Sequence, residues 1–277
     1  MATFTNQAQL SYNNTIINSN VAVGEVVRGF TISKTAVGDT YGRNDEVTYV
    51  VTIVNSSASP LTGVSVTDDL GGYMFDGAMV YPLSYVDGSV RLFINGVLAA
   101  APTVNAGPPL VFSDITIPAQ GNAVIVYEAD VTEFAPLDTE GSITNTITVD
   151  GTTASETITT QQAPELAITK MIEPVPVEEF GTVTYTFTIL NYGNTAAQLT
   201  DDTVLTDTFD PALTNITVTF NGAPWADPAN YSYDETTGLL TTVPGQITVP
   251  AATYTVDENG AIVITPGVSE LVVTGTI

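Results

Sequence analysis

The sequence holds two lysines, Lys34 and Lys170, and each lies in an apolar, strand-like run: Thr31-Ile-Ser-Lys34-Thr and Ala167-Ile-Thr-Lys170-Met. A lysine kept in an apolar core favours its neutral, nucleophilic amine. Such an amine can attack the carboxamide of an asparagine on an adjacent strand, releasing ammonia and leaving an amide crosslink. A carboxylic acid held protonated by the same surroundings would polarise the carbonyl and carry the protons. Asp68 and Asp207 stand at one shared position of the two halves of the chain. Glu128 is a second candidate acid in the first half only, because its counterpart is Thr274. The competing reading is two surface charges copied by an internal duplication.

The elements that would hold these groups repeat along the chain. Glu46-Val-Thr-Tyr49-Val-Val-Thr-Ile-Val-Asn55 matches Thr182-Val-Thr-Tyr185-Thr-Phe-Thr-Ile-Leu-Asn191. Val64-Ser-Val-Thr-Asp68 matches Thr203-Val-Leu-Thr-Asp207, and Phe93-Ile-Asn-Gly96 matches Thr219-Phe-Asn-Gly222. Ile115-Thr-Ile-Pro118 matches Ile247-Thr-Val-Pro250, and Ile125 to Val131 matches Leu271 to Ile277. The blocks alternate or run apolar for a few residues, with Gly, Pro, Asn and Asp between them. That is the rhythm of a β-sandwich. Tyr49 and Tyr185 sit centrally in their strands and read as core residues.

One match breaks the order. The first half continues to Ser142-Ile-Thr-Asn145-Thr-Ile-Thr-Val149, a further strand with Ile143, Asn145, Ile147 and Val149 on one face. The second half stops before any such strand, whereas a copy stands at the N-terminus: Thr3-Phe-Thr-Asn6-Gln-Ala-Gln-Leu10. Phe4, Asn6, Ala8 and Leu10 fall on Ile143, Asn145, Ile147 and Val149. The expectation is an all-β chain of two tandem immunoglobulin-like β-sandwich domains preceded by an N-terminal donor strand. Residues 1–27 form the donor strand and connector, 28–160 the first domain with its own last strand, and 161–277 the second domain without one. A sandwich short of a strand exposes an apolar cleft and unpaired backbone groups. A strand from a neighbouring copy would fill it by donor-strand complementation. Such a head-to-tail contact, repeated without closing into a ring, makes a filament.

Composition narrows the remaining choices. The formal net charge is −25, a surface that repels phosphate backbones and anionic lipid, so neither nucleic acid nor membrane is an expected partner. No apolar run is long enough to span a bilayer. There is no cysteine and no histidine, which removes disulfides, thiolate metal sites and histidine-based triads. No acidic loop reads as an EF-hand, no glycine-rich phosphate loop follows a strand, and no cofactor or metal is expected. No carboxylate pair stands out, so an enzyme acting on an external substrate is not expected. The first residues, Met-Ala-Thr-Phe-Thr-Asn-Gln, have no basic region and no apolar stretch. The expectation is an extracellular protein of a spore or cell surface, without a secretory signal, released from a mother cell.

The Ile-Ser-Lys-Thr strand, the Val-Thr-Tyr-x-x-x-Ile-x-Asn strand, the Val-Thr-Asp turn and the terminal Ile-Thr-Asn-Thr-Ile-Thr-Val resemble a conserved repeat of bacterial surface proteins with an immunoglobulin-like fold. The pattern is also similar to the B-type domains of Gram-positive adhesins and pilins, which carry a Lys–Asn isopeptide bond assisted by an acid. Those domains usually place the acid as a Glu in a middle strand. The acidic two-repeat arrangement is similar to clostridial spore-appendage ribbon proteins. The resemblance implies that Lys34 pairs with Asn145, assisted by Asp68 or Glu128. It implies that Lys170 pairs with Asn6 of the next subunit, assisted by Asp207. The alternative function is a monomeric adhesin or ligand-binding module that uses end loops such as Tyr73 to Tyr85 or Trp225 to Tyr233.

Overall fold

The computed structural model describes residues 2–26 and 29–277. The expected junction of connector and first domain, at residues 27 and 28, lies outside the described residues. The N-terminal segment is a pair of antiparallel ribbons rather than a single strand. β1 (Ala2–Asn6) pairs with β4 (Ala22–Val26), and β2 (Gln9–Tyr12) pairs with β3 (Thr15–Asn18). Asn13 and Asn14 turn the chain at φ of 46° and 61°, a left-handed region that asparagine tolerates better than most side chains.

The first sandwich contains β5 (Phe30–Ala36), β6 (Thr40–Tyr41), β7 (Glu46–Asn55), β8 (Leu61–Asp68), β9 (Tyr73–Phe75), β10 (Ala78–Val80) and β11 (Leu83–Tyr85). It continues with β12 (Arg91–Ile94), β13 (Val97–Leu98), β14 (Thr103–Asn105), β15 (Leu110–Ile117), β16 (Asn122–Val131), β17 (Ser142–Val149) and β18 (Thr152–Thr160). One sheet runs β13-β12-β16-β7-β5, with β11 also on β16; the other runs β14-β15-β8-β17-β18-β6. Period-two alternation builds the core between them. β7 turns Val47, Tyr49, Val51 and Ile53 inward, β16 turns in Ala123, Ile125, Tyr127 and Ala129, and β17 turns in Ile143, Ile147 and Val149. The strand expected to end this domain, β17, folds back through Asp150-Gly151 into β18, with Ile143 opposite Ile158 and Val149 opposite Thr152.

The second sandwich repeats the first with fewer strands. It comprises β19 (Leu166–Glu173), β20 (Thr182–Asn191), β21 (Thr206–Thr208), β22 (Thr214–Phe220) and β23 (Ala223–Trp225). β24 (Tyr231–Asp234), β25 (Leu239–Thr242), β26 (Thr253–Val256), β27 (Ile262–Thr265) and β28 (Gly267–Thr276) follow. The sheet β19-β20-β28-β22-β23 copies β5-β7-β16-β12-β13, and the three-stranded β21-β25-β24 copies β8-β15-β14. In the first domain β17 lies along β8 through Ile147–Asp68, Thr148–Thr67 and Val149–Val66. Among the described residues nothing lies along the same edge of β21. The separate core of this domain includes Val183, Phe187, Phe209, Leu240, Leu271 and Val273.

Asn55 and Asn191, the matched ends of β7 and β20, have a structural task. Asn55 donates its amide to the carbonyls of Ser59 and Pro118, and Asn191 donates to those of Thr195 and Pro250, tying the same loops in both domains. Between the sandwiches, Arg43 meets Glu165 at 2.5 Å and stacks over the Tyr192 ring at 4.8 Å. Among the described residues no helix is long and apolar enough to cross a membrane.

Candidate crosslinking sites

In the first domain the inward faces of β5, β8 and β16 bring three polar groups together in an otherwise apolar core. Lys34 Nζ lies 2.5 Å from Asp68 Oδ2, and both side chains are fully buried. The Lys34 ammonium also donates to the Tyr127 hydroxyl at 2.9 Å, and that hydroxyl donates to the same Asp68 oxygen. The Lys34 nitrogen sits 4.5 Å from the centre of the Tyr49 ring. The second carboxylate oxygen of Asp68 accepts the Leu70 N–H at 2.8 Å, so the turn after β8 fixes the acid in place. Burial pulls the Lys34 pKa below that of an ordinary lysine, against the opposing pull of Asp68. Burial and Asp68 together push the Tyr127 phenol upward, so it remains a neutral donor.

Asn145 completes the cluster from β17. It is fully buried in the stripe of Ile143, Ile147 and Val149, and neither its amide nitrogen nor its amide oxygen has a hydrogen-bond partner. The Tyr49 and Tyr127 hydroxyls interact with it electrostatically, which places the amide beside the two rings that flank Lys34, although neither bond meets ordinary hydrogen-bond geometry. Leaving a buried amide unsatisfied costs about 1–3 kcal/mol per group. An orphan of this kind in a well-packed core calls for a reason.

The second domain holds the same pair in the open. Lys170 Nζ lies 2.5 Å from Asp207 Oδ2, but their side chains are 39% and 20% exposed. The lysine rests over the rings of Tyr185, Phe187 and Phe209 at 4.7, 5.4 and 5.3 Å. Tyr185, expected as a core residue like Tyr49, is only half-buried. All eight residues of β19 are exposed, among them Leu166, Ile168, Met171 and Ile172. An apolar groove opens between β19 and β21, lined by residues including Leu166, Ile168, Val204, Leu205 and Ile247. At the equivalent place in the first domain the groove is bounded by Val149 and Asp150 of the β17 end.

Phe4, Asn6, Ala8 and Leu10 are all exposed in the N-terminal segment. No hydrogen bond or ion pair joins Asn6 to Lys170 or Asp207 among the described residues. Glu128, offered by the sequence as a second acid, is placed elsewhere. It is half-buried on the outer face of β16, because the strand alternates and Tyr127 and Ala129 take the inward positions. Sequence reading missed Tyr127. The alternation Ala123, Ile125, Tyr127, Ala129 is the signal that would have found it, since it turns this hydroxyl inward and the neighbouring Glu outward. Its counterpart is Val273, so the second domain has no phenol at this point.

The aromatics of the two end loops are packed. The Tyr73 hydroxyl donates to the Phe134 carbonyl, Trp225 stacks on Phe220 with centroids 4.9 Å apart, and the Tyr233 hydroxyl donates to the Leu213 carbonyl.

No protein-family model matches the sequence, and no curated protein does. The solved structures it is similar to include pilus and surface proteins of Gram-positive bacteria. The pilus backbone protein RrgB of Streptococcus pneumoniae aligns over 86% of this chain and 55% of its own, at 12% identity and a TM-score of 0.34. The collagen-binding domain of the surface protein RspB of Erysipelothrix rhusiopathiae aligns over 57% of this chain and 60% of its own, at 14% identity and a TM-score of 0.29. The chain therefore spans under two thirds of either structure. A type II cohesin dyad from the adaptor scaffoldin ScaA of Acetivibrio cellulolyticus aligns over 88% of this chain and 84% of its own, at 12% identity and a TM-score of 0.25.

Proposed function

We propose that this chain is the structural subunit of an extracellular filament, a spore or cell-surface appendage, that polymerises head to tail. The observation that carries the reading is the contrast between two copies of one site. In the first domain β17 covers the Lys34–Asp68 pair and presents Asn145; in the second the same pair, Lys170–Asp207, stands beside an open edge and an exposed strand. The N-terminal segment carries a pattern similar to that of the covering strand, with Asn6 at the place of Asn145. It docks on the second domain of a neighbouring copy, where burial of Phe4 and Leu10 stabilises the contact by about 1.5–3 kcal/mol for each side chain.

Two amide bonds reinforce this arrangement. Burial lowers the Lys34 pKa, and the reaction starts when the proton held between Lys34 and Asp68 passes to Asp68, leaving the amine free to attack. The Lys34 amine attacks the side-chain carbonyl carbon of Asn145 while Asp68 hydrogen-bonds the carbonyl oxygen. Asp68 passes its proton to the departing nitrogen and takes one from the attacking nitrogen, so it ends protonated as it began. The new C–N bond forms, the old one breaks, and ammonia leaves. In the polymer the same exchange joins Lys170 to Asn6 of the next copy, with Asp207 as the acid, once docking has removed water from the pair.

The test is detergent-resistant assembly. Purified protein should run as a ladder after boiling in detergent, and Lys170→Ala or Asn6→Ala should abolish the ladder. Stable oligomers in both variants refute the intermolecular bond. Persistence of filaments after deletion of residues 1–10, seen by negative-stain microscopy, refutes the donor strand itself.

A further inference from the structure

The donor reading concerns a strand, whereas the N-terminal segment is a hairpin. Its cross-strand pairs sort the side chains into two faces. Phe4 pairs with Gly24 and Asn6 with Ala22 in one ribbon, Leu10 with Ile17 and Tyr12 with Thr15 in the other, and a period of two carried from Asn6 to Leu10 sets these pairs on one side. Thr5 faces Val23, Gln9 faces Asn18 and Ser11 faces Ile16 on the other. The first face is apolar apart from Asn6 and Thr15; the second is mostly polar. The Phe4 ring lies so close over Gly24 that a Cβ there would come within 2.3 Å of it.

The β17–β18 hairpin of the first domain has the same plan. Ile143 with Ile158, Ile147 with Ala154 and Val149 with Thr152 face the core, around Asn145 opposite Glu156. The outer face is a ladder of hydroxyls, with Thr144 bonded to Thr157 at 2.8 Å and Thr146 to Ser155 at 3.0 Å. Both strands have a seat. β17 pairs with β8, while β18 packs beside β5 and runs parallel to β6 through Thr159–Thr40 and Thr160–Tyr41, burying Ile158 completely.

The exposure in the second domain has the extent of a two-stranded cover. In β5 the inward residues Phe30, Ile32, Lys34 and Ala36 are buried or half-buried beneath β17 and β18. Their counterparts Leu166, Ile168, Lys170 and Ile172 in β19 are all exposed. A single strand along β21, which has three residues, would occupy the place of β17 and leave the place of β18, along β19, uncovered.

We propose that the second domain accepts the whole hairpin, β1 to β4 of a second copy, with β1–β2 along β21 and β3–β4 along β19. This rests on the donor-strand reading and extends it to a ribbon whose apolar face seals both the edge and the flank of the acceptor.

Three full-length variants test it: Leu10→Asp on the inner face of the first arm, Ile17→Asp on the inner face of the second, and Ile16→Asp on the outer face. Assembly is read as the fraction of protein pelleted by ultracentrifugation, and thermal unfolding confirms that both sandwiches remain folded. The hairpin seat predicts at least a tenfold loss of pelletable protein for Leu10→Asp and for Ile17→Asp, with Ile16→Asp near wild type. Loss with Leu10→Asp but normal assembly with Ile17→Asp overturns the hairpin and leaves the single donor strand standing. Normal assembly of both removes the donor-strand reading itself. Loss with all three variants also overturns the proposed seat, because the outer face makes no contact in it.

Discussion

Asn145→Ala is the most direct test of the buried cluster in the first domain. If Lys34 and Asn145 are joined, the bond closes a loop of about 110 residues, and in the chain-entropy picture used for disulfides this stabilises the fold by about 5 kcal/mol. In the joined chain the Asn145 amide has reacted, so the cost of the orphaned group does not enter the comparison. The net loss is therefore dominated by the crosslink. For a sandwich of this size it lowers the melting temperature of the first domain by about 15–20 °C. Differential scanning calorimetry reads that shift, and intact mass reads the bond. The wild-type chain should weigh less than its sequence by one ammonia for this bond, and Asn145→Ala should match its sequence. A wild-type mass equal to the sequence mass refutes the argument from the orphaned amide. So does a variant that melts with the wild type.

Further outcomes follow from the neighbours of this pair. Tyr127→Phe removes the hydroxyl that bridges Lys34 and Asp68 and should slow bond formation roughly tenfold or more, followed by mass against time after refolding. Glu128→Gln changes a residue on the outer face of β16 and should leave that rate unaltered; a slowed rate would return Glu128 to the role of acid. In the uncrosslinked Asn145→Ala chain, Lys34 has a pKa below its ordinary 10.5 when folded, so the unfolded chain binds more protons between the two values. Its unfolding free energy should therefore rise with pH as the ordinary lysine value of 10.5 is approached from below, as read by urea titration, and a flat or falling profile there would contradict the burial argument. Val273→Tyr supplies the missing phenol to the second domain and should accelerate ladder formation, measured by gel densitometry over time.

Much of the architecture was legible because sandwich strands follow a period of two and the chain repeats itself. The match of Val64–Asp68 to Thr203–Asp207 located both acids, and the structure sets each one against its lysine. Ile143, Asn145, Ile147 and Val149 were readable as one face, and all four are buried. Two features were not read. The inward turn of Tyr127 depends on the phase of the alternation in β16, which sets the adjacent charge of Glu128 outward. The second arm of each hairpin, β18 and β3–β4, is hard to see in the sequence because Thr152–Thr160 and Thr15–Val26 have weaker apolar patterns; their pairing is fixed by the turns at Asp150-Gly151 and Asn13-Asn14.

The sequence by itself determined the β class, the duplicated strands, the lysines at equivalent positions and the N-terminal likeness to residues 142–149. Each of these is a matter of residue type and spacing along one strand. Only the tertiary structure decided that Lys34, Asp68, Tyr127 and Asn145 share one buried cluster while Lys170 and Asp207 stand in the open. Burial depends on which strand from elsewhere in the chain lies across the site. In the first domain that strand is β17, more than a hundred residues from Lys34 in sequence, and no local pattern around either lysine records its presence.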